Sequence, residues 1–133
     1  MDTKYQQHGA FSWCELLTSD VTSAKSFYGK LFNWALEPEP VPDIEYTVVK
    51  VAGEPMGGLM AIPPIALGMP PNWSIYITVD DVDATAKLAE EMGGKICFGP
   101  MDNPQVGRLC TLQDPQGAMI SIITYLPQDK ECT

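Results

Sequence analysis

Among the side chains that could do chemistry, Glu15 has the most suggestive setting. It lies within the run Gly9-Ala10-Phe11-Ser12-Trp13-Cys14-Glu15-Leu16-Leu17. As a strand, that run puts Glu15 on the same face as Trp13 and Leu17. An acid among apolar neighbours can act as a general base or accept from a donor group on a ligand. It can equally be structural, meeting a nearby Arg or Lys, or backbone amides. His8 is the only histidine and precedes the run, so a Ser-His-Asp triad would have to rely on it. There is no Gly-x-Ser-x-Gly elbow, and the glycine pairs 57-58 and 93-94 lack a phosphate-loop pattern. Cys14, Cys97, Cys110 and Cys132 form no CxxC pair, and their spacing does not suggest zinc. Three of them fall in apolar segments, where cysteine behaves as a small buried hydrophobe. Asp80, Asp81 and Asp83 cluster, but their place before an amphipathic run reads as helix capping.

These residues must be positioned by regular elements, and the chain spells those out. Residues 8–17 read as a strand. Asp20 is an N-cap for a helix whose apolar positions Val21, Ala24, Phe27, Tyr28 and Leu31 carry it to about Phe32. A short strand over 34–37 precedes a proline-rich loop over 38–42. Strands over 46–51 and 56–62 flank Ala52-Gly53-Glu54-Pro55 as a hairpin. Residues 63–72 hold four prolines and read as a linker.

The pattern then repeats. Residues 73–79 form a strand, and a helix starts at Asp81 or Asp83 and stops at Gly93-Gly94. A strand over 95–98 leads into a loop with Pro100 and Pro104. Strands over 106–113 and 118–126 flank the turn Asp114-Pro115-Gln116-Gly117. The tail from Pro127 is polar and expected to fray. Laying Asp20-Val21 on Asp81-Val82, an offset of 61, aligns the two hairpin turns within about one residue. The expectation is one α+β domain over 1–133, made of two βαβββ modules over about 9–62 and 73–126.

Composition narrows the partners. The 133 residues carry 17 acids against 8 bases, a net charge of −9. That surface repels phosphate backbones and anionic lipid, so neither nucleic acid nor a membrane is an expected partner. No apolar run reaches the roughly 20 residues that cross a bilayer. Residues 1–8 do not read as a signal peptide, so the expectation is a cytoplasmic protein with reduced thiols.

Several of these pieces, in this order, resemble the glyoxalase, bleomycin-resistance and extradiol-dioxygenase superfamily, the vicinal oxygen chelate proteins. They are Asp20-Val21 with Phe27-Tyr28, the run from Asp80 to Thr85, Gly93-Gly94, and Gly107-Arg108 before Asp114-Pro115-Gln116-Gly117. Trp13-Cys14-Glu15-Leu16 is similar to the glyoxalase-like branch. The resemblance implies eight strands in an open, U-shaped sheet around a ligand cleft, and a homodimer that covers strand edges. Metal-dependent members hold a divalent ion that polarises vicinal oxygens. The matching ligand positions here carry Trp13, Ser74 and Ser121, with no carboxylate around residues 58–60, so no metal or other cofactor is expected. The resemblance assigns the face of Trp13 and Glu15 to the cleft. Ser74 and Tyr76 in one strand, and Met119 and Ser121 in another, complete the expected ligand-binding set. Arg108 is the nearest base, able to hold a ligand carboxylate or to pair with a surface acid. Met119 and Ile123 fit a pocket wall or plain core. The expected function is binding of a small, largely apolar molecule without a metal, as in drug-resistance members. The alternative is a glyoxalase-like lyase, isomerase or dioxygenase with an unorthodox site in which Glu15 is the catalytic residue. A third reading is an interaction domain whose cleft is filled by side chains.

Overall fold

In a computed structural model of the chain, residues 3–41, 44–64, 68–104 and 106–127 are described. Cys132 and the tail beyond Pro127 lie outside them, as does part of the linker. The described residues form a 3-10 turn (Thr3–Gln6), eight strands and two α-helices. The strands are β1 (Phe11–Thr18), β2 (Ala35–Val41), β3 (Ile44–Val51), β4 (Glu54–Ala61), β5 (Asn72–Thr78), β6 (Lys95–Asn103), β7 (Gly107–Gln113) and β8 (Met119–Tyr125). The helices are α1 (Val21–Phe32), after β1, and α2 (Val82–Glu91), after β5. The α+β class and the twice-repeated order strand, helix, three strands are therefore borne out. The chain clusters into two compact units, Trp13–Ser74 and the residues up to Ser12 together with those from Ile75 onward.

In the first unit the strands neighbour one another in the order β2-β3-β4-β1, with β1 and β4 parallel and the other pairs antiparallel. Leu16, Ala24, Val49 and Leu59 form the core, and Tyr28, Trp34 and Leu36 pack against it. Asp20 caps α1 by accepting from the Ser23 amide at 3.0 Å, which holds its carboxyl below the ordinary range.

In the second unit the order is β5-β8-β7-β6, with β5 and β8 parallel. Val79, Val82, Ala86, Cys110, Leu112 and Ile122 are buried together between α2 and the strands. The N-cap is Asp81, which accepts from the Ala84 amide at 3.1 Å. Asp83 falls in the first turn.

Several boundaries differ from expectation, three of them for a clear local reason. β2 continues through Pro38 and Pro40, which pair with Thr47 and Glu45. Prolines two residues apart on an edge strand can both turn their missing donors away from the ladder. The first hairpin turn is two residues, Ala52 and Gly53, both with positive φ (52° and 79°), so Glu54 already pairs with Val51. β6 likewise runs on past Pro100, as an edge strand with register shifts against β7.

Candidate functional site

The burial of Leu16 beneath α1 turns its neighbour Glu15 to the opposite face of β1. Register extends that face across the unit. Glu15 stands opposite Gly58 of β4, which stands opposite Val48 of β3. Leu17, Met60 and Tyr46 form the next row. Most of this face is apolar, yet it holds a chain of polar contacts. The Trp13 indole Nε1 donates to the Tyr46 hydroxyl at 2.9 Å. That hydroxyl donates to Glu15 Oε1 at 2.7 Å. Glu15 is only 7 % exposed, whereas Trp13 and Tyr46 are half-buried.

The geometry depends on a glycine. A β-carbon at Gly58 would overlap the Tyr46 hydroxyl and the ring carbon that bears it. A β-carbon at the adjacent Gly57 would meet the Cys14 carbonyl oxygen at 2.6 Å. The glycine pair inside a strand is thus where β1 and the Tyr46 ring come close. Tyr46 and Gly58 were missed as site residues. The signal was present, since glycines in a strand interior mark a close approach, but nothing local identified the ring that uses the space.

The remaining candidates fall elsewhere. Ser74, on β5, bonds to Asn72 Oδ1 at 3.0 Å. In the second unit the core position of Ile122 turns Ser121 to the face away from α2. There Ser121 stands between Tyr76 and Thr111, is 3 % exposed, and shares a 2.8 Å hydrogen bond with the Thr111 hydroxyl. Met119 begins β8 on the same side and is 45 % exposed.

Arg108 does not join this face. It has the parity of buried Cys110 and therefore stands on the helix side of β7. Its guanidinium grips both oxygens of Asp83 in α2 (2.7 and 3.0 Å) and Asp102 of β6 (3.0 Å). These bonds hold Asp83 below the usual carboxylate range and push Arg108 upward. Of the two roles open to Arg108, pairing with acids is the one its contacts serve.

The donor set at the metal-ligand positions does not fit a divalent ion. An indole N–H has no lone pair to give and here points at Tyr46. Ser74 and Ser121 are neutral hydroxyls engaged with neighbouring side chains. Among the described residues no three His, Cys, Asp or Glu side chains are grouped closely enough to hold a metal. Nor is any helix among them long and apolar enough to cross a membrane.

The model of the Glyoxalase/Bleomycin resistance protein/Dioxygenase superfamily matches residues 10–122. The chain belongs to that superfamily. It is 37 % identical over 123 residues to the Mycobacterium bovis protein CFP32, whose name carries the word glyoxylase, covering 90 % of this chain and 47 % of that one. It is 30 % identical over 115 residues to the anthracycline biosynthesis protein DauV of a Streptomyces species, covering 86 % and 41 %. The chain thus spans about half the length of the curated relatives it matches. Among solved structures, methylmalonyl-CoA epimerase from Mycobacterium tuberculosis superposes with a TM-score of 0.63 at 16 % identity, over 91 % of this chain and 93 % of that one. At that identity the likeness is one of fold.

Proposed function

We propose that this superfamily member binds a small, largely apolar molecule on the strand face bearing Trp13, Glu15 and Tyr46, without a metal. The observation that carries the reading is the hydrogen-bonded chain from Trp13 through Tyr46 to a buried carboxylate, set among Leu17, Val48 and Met60. Apolar walls with one polar handle are the usual make-up of a small-molecule site. Because Glu15 is more deeply buried than its two partners, a ligand meets the indole and the phenol first. Glu15 then acts from behind, orienting and polarising the Tyr46 hydroxyl. The name of the relative DauV, an anthracycline biosynthesis protein, supports flat polycyclic compounds as the first class to try. The same reading has the protein working in the cytoplasm with its thiols reduced.

Titration of the purified protein with daunorubicin, followed by the fluorescence of the drug, tests this. Saturable binding, weakened about tenfold or more in both Tyr46→Phe and Glu15→Gln, is expected. No saturable binding, or equal affinity in the variants, overturns the reading for this compound class and this site. The buried carboxylate also favours a second reading, an isomerase or lyase with Glu15 as base. Turnover lost in Glu15→Gln with ligand affinity retained would favour that one.

A further inference from the structure

The twice-repeated order of elements gives each unit an equivalent row of side chains on the face away from its helix. In the first unit Glu15, Gly58 and Val48 stand side by side on β1, β4 and β3. The corresponding strands β5, β8 and β7 carry Tyr76, Ser121 and Thr111 at the matching places. β6 adds Phe98 beside Thr111. The place that holds a carboxylate and a glycine in one unit therefore holds a phenol ring and a serine in the other. No Asp, Glu, Lys, Arg or His stands in this second row, and the next row runs through the apolar Ile123 and Leu109. Arg108 is on the other side of the sheet, held by Asp83 and Asp102.

The hydroxyls of Ser121 and Thr111 are 2.8 Å apart, and either can donate to the other. Whichever donates, one proton serves that bond and the second is left over. Among the described residues neither hydroxyl has another hydrogen-bond partner to take it. Ser121 is buried and Thr111 half-buried. A buried donor without an acceptor is tolerated more rarely than a spare lone pair. The pair thus offers one O–H to an oxygen that the described residues do not supply. The row is neutral and the chain carries a net charge of −9. A carboxylate or phosphate would meet no cation there, so the oxygen that fits is that of an uncharged carbonyl.

We propose that the Ser121–Thr111 pair is a second binding position, which donates one hydrogen bond to the carbonyl of a neutral, flat molecule lying against Tyr76 and Phe98. The assignment rests on the protein binding flat apolar compounds, as proposed, and adds the group by which they are recognised. Equilibrium dialysis of the whole chain against 9-fluorenone and against fluorene tests it, because the two probes share a shape and differ in the carbonyl. The variant is Thr111→Val with Ser121→Ala, since replacing both partners of a hydrogen bond by apolar groups of similar shape costs little stability. The double variant is expected to bind fluorenone about tenfold more weakly than the wild type and to bind fluorene equally well. Fluorenone bound by the wild type should show a carbonyl stretch below its frequency in hexane, and this measurement stands alone if the variant does not fold. Wild-type binding of fluorenone that the double variant leaves unchanged overturns the assignment while the ligand-binding reading stands. A carbonyl stretch equal to that in hexane does the same. A wild type that binds neither probe overturns both for this class of compound.

Discussion

Gly58→Ala puts the site geometry under direct test. The added methyl cannot coexist with the Tyr46 ring where it stands, because the new carbon would overlap the phenol end. A side-chain tip can move, so the ring swings away and the cost is the contacts it abandons rather than the clash itself. Two hydrogen bonds go with it, one from Trp13 at 2.9 Å and one to the Glu15 carboxylate at 2.7 Å. A neutral bond contributes about 0.5–1.5 kcal/mol and one to a carboxylate about 1.5–3 kcal/mol. The expected loss is therefore about 2–4 kcal/mol of unfolding free energy, read from urea unfolding followed by tryptophan fluorescence. Tyr46→Phe, which removes the same two bonds and leaves the ring, should fall in the same range. The decisive comparison is the double variant with Tyr46→Leu. With the phenol gone, Gly58→Ala should cost less than about 0.5 kcal/mol, giving a coupling of about 2 kcal/mol or more. Additive effects of the two substitutions would refute the claim that Gly58 exists to admit Tyr46. A single variant Gly58→Ala as stable as the wild type would do the same.

Two further outcomes follow from contacts away from that site. Thr47 is fully buried, and its hydroxyl finds no hydrogen-bond partner among the described residues; Thr47→Val should raise stability by about 1 kcal/mol, and a thermal melt that instead falls would show that the hydroxyl is satisfied. Asp83 titrates below the usual carboxylate range because Arg108 donates to it. Its contribution is therefore present above the ordinary value of about 4 and lost as pH falls through the lower folded value. Asp83→Asn should consequently give a shallower loss of stability between neutral pH and pH 3, and identical pH profiles for variant and wild type would exclude the pair as a contributor.

What the sequence determined by itself is local in its physics. Asp20 caps its helix, and one of the pair Asp81 and Asp83 was expected to cap the other, because an N-cap needs only a carboxylate and an amide three residues on; the structure selects Asp81. Glu15 shares a face with Trp13 because strand alternation has a period of two. The duplicated order of elements was legible for the same reason, since each turn and cap announces itself within a few residues. Pairing across strands was not legible. Tyr46 reaches Glu15 over 31 positions of sequence, and a slip of one residue in the β3–β4 register would turn it to the other face. Pro38 and Pro40 look like a loop until β3 is there to pair with them on an edge. Arg108 resembles a base near a ligand until α2 brings Asp83 to its guanidinium. Each of these outcomes is decided by which strand or helix lies alongside, and that is fixed only when the core around Leu16 and Leu59, and that around Cys110 and Ile122, has packed.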